Sequence, residues 1–558
     1  MTDSRPPITV SIDGKPSFQV PPGTLVADLP GIGDGEGPLA YLGALVNNDV
    51  VPFAYPLEVD CQVELLTIRH PHGWRIYRNS VSFLLAMAVH QLFPDADFAV
   101  EGSTGSGYYC RLGRDEAAVE ESKIKAIDER MRELVARDLP IIRRKIAYGD
   151  AVHQFEAERQ TDKFDLLRFR NPAKVTVYTA DGFTDLYHGA LAPRTGALAY
   201  FALFSSAPGF VLQFPEREQA PELPPFEPQP QLIQIFEEQE RWGRIVGVRT
   251  VGDLNRMIAE REIGETVRIA EAFHEKKIAR IADLVAARTP ETRWVFIAGP
   301  SSSGKTTFAK RLNVGLRVNG LRTVSISVDD YFVERDQTPR DENGEFDFEH
   351  IETVDLSLLN EHLAALDRGE EVDLPSFNFA TGRREFRGKK LRLGPGQLAL
   401  VEGIHCLNPR LTEAIPARHK FRIYVSALTQ LNIDFHNRVA TTDNRLIRRL
   451  VRDHRYRGHD ALRTIGMWPS VRRGEKRWIF AYQNEAEAVF NSALDYELAV
   501  LKTFAEPLLL EVKPYHTQYA EARRLMSFLE VFLATTDSPV PPNSILREFV
   551  GDSTFRYD

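Results

Sequence analysis

The chain has 558 residues, 43% of them apolar and 26% charged, an ordinary globular composition with room for three or four domains of about 150 residues each. Its net charge of −9 argues against general electrostatic binding of nucleic acid and leaves only local basic patches for that role. Cys61, Cys110 and Cys406 are odd in number and far apart, which argues against a disulfide framework or a zinc site and fits a reducing, cytoplasmic setting.

Residues 1–69 predict a small, mostly β unit. The opening Met1-Thr2-Asp3-Ser4-Arg5-Pro6 is polar, unlike a signal peptide. Ile8-Thr9-Val10-Ser11-Ile12 alternates, Ala44 through Val51 reads as strand, polar turn and strand, and Val63-Glu64-Leu65-Leu66-Thr67 closes the unit. Residues 70–217 read as α+β. Helices are expected over Val81–Leu92 and over Glu116–Asp138, and strands over Val175–Tyr178 and from Leu198 through Tyr200 to Ala202. The apolar run Val81 to Val89 is too short to cross a bilayer, so no membrane is expected as a partner. Residues 218–290 predict a proline-rich, acidic linker and a helical connector that ends in Glu271–Ala287.

Residues 291–513 carry the chemistry. An apolar strand, Trp294-Val295-Phe296-Ile297-Ala298, runs into Gly299-Pro300-Ser301-Ser302-Ser303-Gly304-Lys305-Thr306-Thr307 and then into a helix. That is a phosphate loop in its required context. Its glycines let backbone N–H groups turn inward on phosphate oxygens, and the helix N-terminus adds partial positive charge. Lys305 is expected on the β/γ-phosphates of ATP and Thr306 on Mg²⁺. A second strand, Thr323–Val328, ends in Asp329-Asp330, and a third, Gln397–Val401, ends in Glu402. Carboxylates at strand ends line the ligand crevice of an open α/β sheet. Asp329 is placed to take the proton of an attacking hydroxyl, and Glu402 to organise Mg²⁺. Farther on, Arg445, Arg448, Arg449 and Arg452 share one face of a predicted helix, suggesting a lid over the triphosphate, with Arg455-Tyr456-Arg457 as a mobile loop beyond it. Residues 514–558 predict a helix over Tyr519–Leu533 and a tail, Asn543–Phe549, that either docks on the kinase core or mediates assembly.

These motifs give residues 293–513 a resemblance to the uridine kinase / phosphoribulokinase family of P-loop kinases. It is carried by Gly299–Thr307, Ser327–Phe332, Phe346-Asp347-Phe348, Leu374–Phe379, Val401–Ile404 and Asp443–Asp453. The resemblance implies Asp329 as base on a nucleoside 5′-hydroxyl, Asp347 on ribose hydroxyls, and Arg445 and Arg448 as catalytic lid arginines. Phe377, Arg383 and Trp468 are the further candidates for the acceptor pocket. In one place the sequence departs from the family: Gly382 stands where uridine kinases carry a pyrimidine-reading His.

Residues 8–68 resemble a TGS domain, and residues 70–215 resemble the second domain of threonyl-tRNA synthetase, related to the alanyl-tRNA editing fold. The latter rests on Tyr77–Ala86, Ile127–Leu134, Arg137–Pro140 and Asp185–Pro193. The editing family's two His/Cys-bearing motifs are replaced here by Asn79 and Phe83 and by Tyr187 and Leu191, so no hydrolysis of aminoacyl esters is expected. The fold expectation is therefore multidomain: a β-grasp-like module, an α+β editing-like domain and an α/β P-loop kinase with a mainly parallel sheet. The favoured function is an ATP- and Mg²⁺-dependent kinase of a small-molecule acceptor, a nucleoside. Against it stands an RNA-binding protein in which the P-loop half is a nucleotide switch. RNA binding by the amino-terminal half and oligomerisation both stay open.

Overall fold

The computed structural model describes residues 5–30, 32–36, 38–105, 107–113, 117–342, 344–379, 381–429 and 431–557. Two compact units emerge: Met1–Arg261 with Gln430–Ala440 and Leu509–Leu533, and Glu262–Thr429 with Thr441–Leu508 and Ala534–Asp558.

The first unit begins with a mixed five-stranded sheet. Ile8–Ile12 pairs antiparallel with Phe18–Val20 and parallel with Cys61–Leu66, which continues antiparallel to Gly43–Val46 and then Asp49–Val51. Period-two alternation puts Ile8, Val10 and Ile12 into one core with Ala44, Val46 and Val63. Asn47 and Asn48 turn the hairpin at φ 46° and 64°, the left-handed region asparagine tolerates. The next helix starts at Pro71 rather than Val81. His70 Nδ1 accepts the His72 N–H (3.2 Å) and proline occupies the first turn, so the start signal lies upstream of the apolar run. Its buried residues pack in one core with those of a four-stranded antiparallel sheet, ordered Phe98–Thr104, Gly107–Leu112, Gly209–Gln213, Ala202–Ser206.

The charged helix runs Glu121–Ala136; residue 116, where it was expected to begin, lies outside the described residues. Leu198 ends a short turn (Thr195–Leu198), and the strand expected there begins only at Ala202. A side chain has claimed the local backbone: Tyr77 Oη accepts the Tyr200 N–H (2.8 Å) and donates to Tyr200 O (2.9 Å). Two remote pieces of chain complete this unit. In the segment 431–440, Asn432 Nδ2 donates to Val100 O (3.0 Å) and Val100 N–H donates to Phe435 O (2.8 Å). In the helix Tyr519–Leu529, Glu521 pairs with Arg75 (3.1 Å).

The second unit is built on a five-stranded, fully parallel sheet in the order Arg322–Ser327, Gln397–Glu402, Trp294–Ala298, Lys420–Ser426, Ala488–Asn491. Trp294–Ala298 is central and wholly buried, which is why it reads as an unbroken apolar run. The register sets Ile297 and Ser327 on either side of Glu402, so the phosphate loop, Asp329 and Glu402 all leave the sheet at its carboxyl edge. The helices Ile263–Ala287 and Lys305–Val318 pack together, so the end of the expected connector belongs to this unit's core. The arginine-rich helix extends through Arg457, taking in the stretch expected as a loop. Asp453 holds Arg449 at 3.1 Å and Arg457 at 3.6 Å, one turn to either side, and Gly458 at φ 62° ends the helix.

Candidate active site

The phosphate loop is shaped by residues behind it. Gly299 ends the central strand where a Cβ would come 2.2 Å from Val425 O. Ser302 (φ 59°) and Gly304 (φ 78°) are left-handed, the latter just before the helix Lys305–Val318. The loop carbonyls are tied down by donors: Arg445 Nε to Ser301 O (2.9 Å), Arg448 Nη1 to Ser302 O (3.4 Å), and Ser492 Oγ to Ser303 O. Arg449 Nη1 also donates to Ser301 Oγ (2.9 Å).

At the front of the loop, Lys305 Nζ lies 3.5 Å from Glu402 Oε1, and Thr306 Oγ1 donates to the same oxygen at 3.4 Å. Burial works against the Lys305 ammonium, but Glu402, Asp329 and Glu548 together outweigh it and hold its pKa above the usual value. Burial pushes Glu402 up to about 7 against the pull of Lys305, with Asp329 and Glu548 adding to the rise. Lys305, Glu402 and Asp329 therefore share one electrostatic field. Thr306 and Glu402 could offer two oxygens to an Mg²⁺ ion, which takes six, and phosphate and water oxygens would have to complete the shell. The residues fit a metal held jointly with a nucleotide.

Asp329 and Asp330 sit in the turn Val328–Tyr331, and Asp330 Oδ1 accepts the Phe377 N–H (3.3 Å). Phe377, Phe332 and Phe379 form an edge-to-face cluster with centroids 5.2–6.2 Å apart. The Arg457 guanidinium lies 5.9 Å from the Phe379 ring centroid. Arg452 and burial hold Arg457 down to about 10, while Asp453 and Asp329 pull it the other way, so its charge is felt at Asp329. Gly382 is at φ 71°, and a Cβ there would meet Arg335 atoms at 2.8 Å. Arg335 itself donates to Phe379 O (2.6 Å) and thus fills the space beside Gly382. Arg383 is exposed at the start of the strand Arg383–Arg392, opposite Asn378. Asp347 Oδ1 accepts the Glu349 N–H (3.1 Å), and burial raises its pKa.

Three predicted residues take positions that the sequence did not suggest. Arg445 and Arg448 are buried behind the loop, not poised over it. Arg445 pairs with Glu475, and Arg448 pairs with Glu497 at 2.5 Å. Trp468 packs with its ring centroid 5.4 Å from the Arg445 guanidinium and 6.0 Å from that of Arg449. A guanidinium without water needs a carboxylate, so four buried or half-buried arginines on one helix required buried acids elsewhere. That requirement was the available signal for Glu475 and Glu497, which the sequence reading did not single out. Glu548 was also missed: its Oε2 accepts from both the N–H (3.1 Å) and the Oγ1–H (2.7 Å) of Thr307.

In the first unit, the four positions of the lost editing motifs give no ligand set. Phe83 is buried, with ring centroids 5.4 Å from Phe183 and 5.8 Å from Tyr187, and Leu191 is buried in the same core. Beside them lies a buried charge cluster. Lys163 Nζ is 3.1 Å from Asp185 Oδ1 and 3.2 Å from His436 Nδ1, and Asp185 Oδ2 is 2.6 Å from that same His436 nitrogen. His188 is half-buried, and desolvation, with Arg170 adding to it, lowers its pKa to about 4. Among the described residues, no group of three or more His, Cys, Asp or Glu is arranged to hold a metal ion, and no helix is long and apolar enough to cross a membrane.

Residues 295–499 match the phosphoribulokinase / uridine kinase family, so the carboxyl-terminal region is a kinase-like P-loop domain of that family. The amino-terminal part is similar to threonine–tRNA ligases: 34% identical over 169 residues to that of Methylobacillus flagellatus (30% of this chain, 26% of the ligase), and 32% over 201 residues to that of a Geobacter species (36% and 31%). The chain thus spans about a quarter to a third of the length of these relatives. Among solved structures, it is similar to a possible uridine kinase from Bacillus stearothermophilus (18% identity, TM-score 0.28, 39% of this chain and 98% of that one). A putative fructose transport system kinase from a Silicibacter species is similar at 19% identity and TM-score 0.29, over 38% and 98% of the two chains.

Proposed function

We propose that the chain is an ATP- and Mg²⁺-dependent phosphotransferase whose acceptor is the sugar hydroxyl of a nucleoside, uridine-like in its ribose. The observation that carries this reading is the meeting of Lys305 and Thr306 on one Glu402 oxygen, within the field of Asp329. Bound ATP supplies the phosphoryl group. The chain's residues do the rest by position and charge. Gly299, Ser301, Ser302, Ser303 and Gly304 shape the cradle, with Thr307 at the first turn of the helix behind it. Lys305 meets the β/γ oxygens, and Thr306 with Glu402 holds the metal. Asp329 takes the acceptor's hydroxyl proton. Asp347 holds ribose hydroxyls, and Phe377 and Arg383 border the acceptor. Gly382 has no side chain to read a base edge and Arg335 fills the space beside it, so acceptor choice rests on the sugar more than on the base. Arg445 and Arg448 support transfer by holding the loop's carbonyls, with Trp468 packed against Arg445.

The amino-terminal half is read as a TGS-like module and an editing-like domain that does not hydrolyse aminoacyl esters, since Phe83 and Leu191 have no ligand atoms. The proposed boundaries stay at 1–69, 70–217, 218–290, 291–513 and 514–558. The purified protein with labelled ATP, Mg²⁺ and a nucleoside panel tests the kinase reading: label should move to a small alcohol, and Lys305→Ala should abolish the transfer. The switch reading draws support from the exposed Arg143, Arg144 and Lys145 on the strand Ile142–Ala147 and from similarity to tRNA ligases. ATP hydrolysis that occurs only with RNA, and no transfer to any alcohol, would establish the switch instead.

A further inference from the structure

The carboxy-terminal segment lies on the nucleotide cradle itself. Thr307 is in the first turn of the phosphate-loop helix, where N–H groups have no intrahelical acceptor and attract anions. Both its N–H and its hydroxyl donate to the Glu548 carboxylate, at 3.1 and 2.7 Å. A carboxylate oxygen there does what a nucleotide phosphate oxygen would do, and its charge reaches Lys305 and Glu402. Tyr557 Oη lies 2.9 Å from the same Thr307 hydroxyl. Ile545 Cγ2 sits 2.5 Å from where a Cβ on Gly304 would be, so an aliphatic side chain covers the loop's last glycine.

The segment is firmly rooted. Ile545, Leu546, Phe549 and Val550 are buried, Ser544 Oγ donates to Glu271, and Asn543 Nδ2 donates to Glu275 (3.2 Å). The Phe549 ring centroid is 5.0 Å from the Arg448 guanidinium. Beyond Gly551 the anchoring thins: Asp552, Thr554 and Arg556 are exposed, and Tyr557 returns to the cradle.

We propose that this tail is an autoinhibitory strap: the Glu548 carboxylate occupies a phosphate subsite at Thr307, and nucleotide enters only by expelling it. The proposal rests on the cradle being a nucleotide site, as argued above. When the binding-competent state is a minor one, apparent affinity falls by its fractional population, so a strap closed about 90% of the time costs about ten-fold in affinity. Glu548→Gln removes the charge at nearly constant shape and should tighten ATP binding by about that factor. A truncation after Gly551 removes Tyr557 and should tighten it by less. With wild-type protein, added ATP should speed amide exchange across residues 552–557.

The test is calorimetric titration of full-length protein with Mg-ATP, for the wild type, Glu548→Gln, the truncation and Lys305→Ala, each checked for folding by thermal unfolding. Wild type that binds weakly, a tighter Glu548→Gln and faster exchange in the tail support the strap. Equal or weaker ATP binding by folded Glu548→Gln, or a tail that becomes protected by ATP, overturns it and makes Glu548 a structural cap, while the kinase reading stands. If neither wild type nor Glu548→Gln binds nucleotide, the nucleotide-site reading itself fails and the strap fails with it.

Discussion

Lys305, Thr306, Asp329 and Glu402 are short-range features of the sequence that the sheet brings into one field. Lys305→Ala should leave the fold intact and abolish transfer, because an alanine leaves Glu402 and Asp329 without their cation. Asp329→Asn should lower kcat by roughly 10²–10⁴, the range of general-base assistance; an unchanged kcat in steady-state assays would make Asp329 structural. His274 gives a residue-scale prediction about stability. Its Nε2–H donates to Ala493 O (3.2 Å), while among the described residues Nδ1 has no partner. Burial first, then Arg311, lowers its pKa to about 3. An ordinary histidine titrates near 6.5, so the unfolded chain takes up the proton first as pH falls. The stability due to neutral His274 is complete above about pH 6.5 and drains away as pH falls toward 3, a loss on the order of a few kcal/mol. Urea midpoints at pH 7.5 and 5.0 should differ less in His274→Asn than in wild type; equal drops would assign the acid sensitivity elsewhere.

At the scale of elements, the helix Thr441–Arg457 shows how spacing conveys a face but not its surroundings. Period 3.6 placed Arg445, Arg448, Arg449 and Arg452 together, and they are together. What that face meets, the loop carbonyls of Ser301 and Ser302 and the carboxylates of Glu475 and Glu497, comes from chain up to 148 residues away. Breaking one buried pair strands its partner, so Arg445→Ala should cost about 3–5 kcal/mol in stability, whereas replacing both Arg445 and Glu475 by apolar residues should cost less than the sum of the single changes. Additive losses in the denaturation cycle would deny the pairing. Strand ends show the complementary case. Glu402 was found from an apolar run that stops at an acid, because its interior parallel strand is buried along most of its length and leaves that pattern plainly in the sequence, whereas Asp329 follows an edge strand, Arg322–Ser327, that alternates apolar and polar residues. The strand expected at Leu198 failed because the Tyr77 hydroxyl took both backbone groups of Tyr200, which periodicity does not encode.

For the molecule as a whole, the kinase-like domain and the ligase-like part share one chain whose path is not sequential. Residues 431–440 lie between a strand and a helix of the second unit yet pack in the first, and 509–533 return to the first before the tail rejoins the second. His436 and Asp434 thereby join Asp185 and Lys163 beside the positions of the vanished editing motif. With Phe83, Tyr187 and Leu191 packed there, added zinc and mischarged tRNA should give no deacylation above background; robust release of the amino acid would reverse that reading.

By itself the sequence determined the parallel-sheet P-loop fold of the second unit, the phosphate loop and the two strand-end carboxylates, because each is written in a continuous run of residues whose chemistry and spacing are local. Only the tertiary structure decided that Arg445 and Arg448 stand behind the loop, that Gly382 faces Arg335, and that Glu548 reaches Thr307. Those contacts join positions separated by 47 to 241 residues. A buried charge or a blocked cradle is a property of what surrounds a residue, and that exists only once the chain has folded.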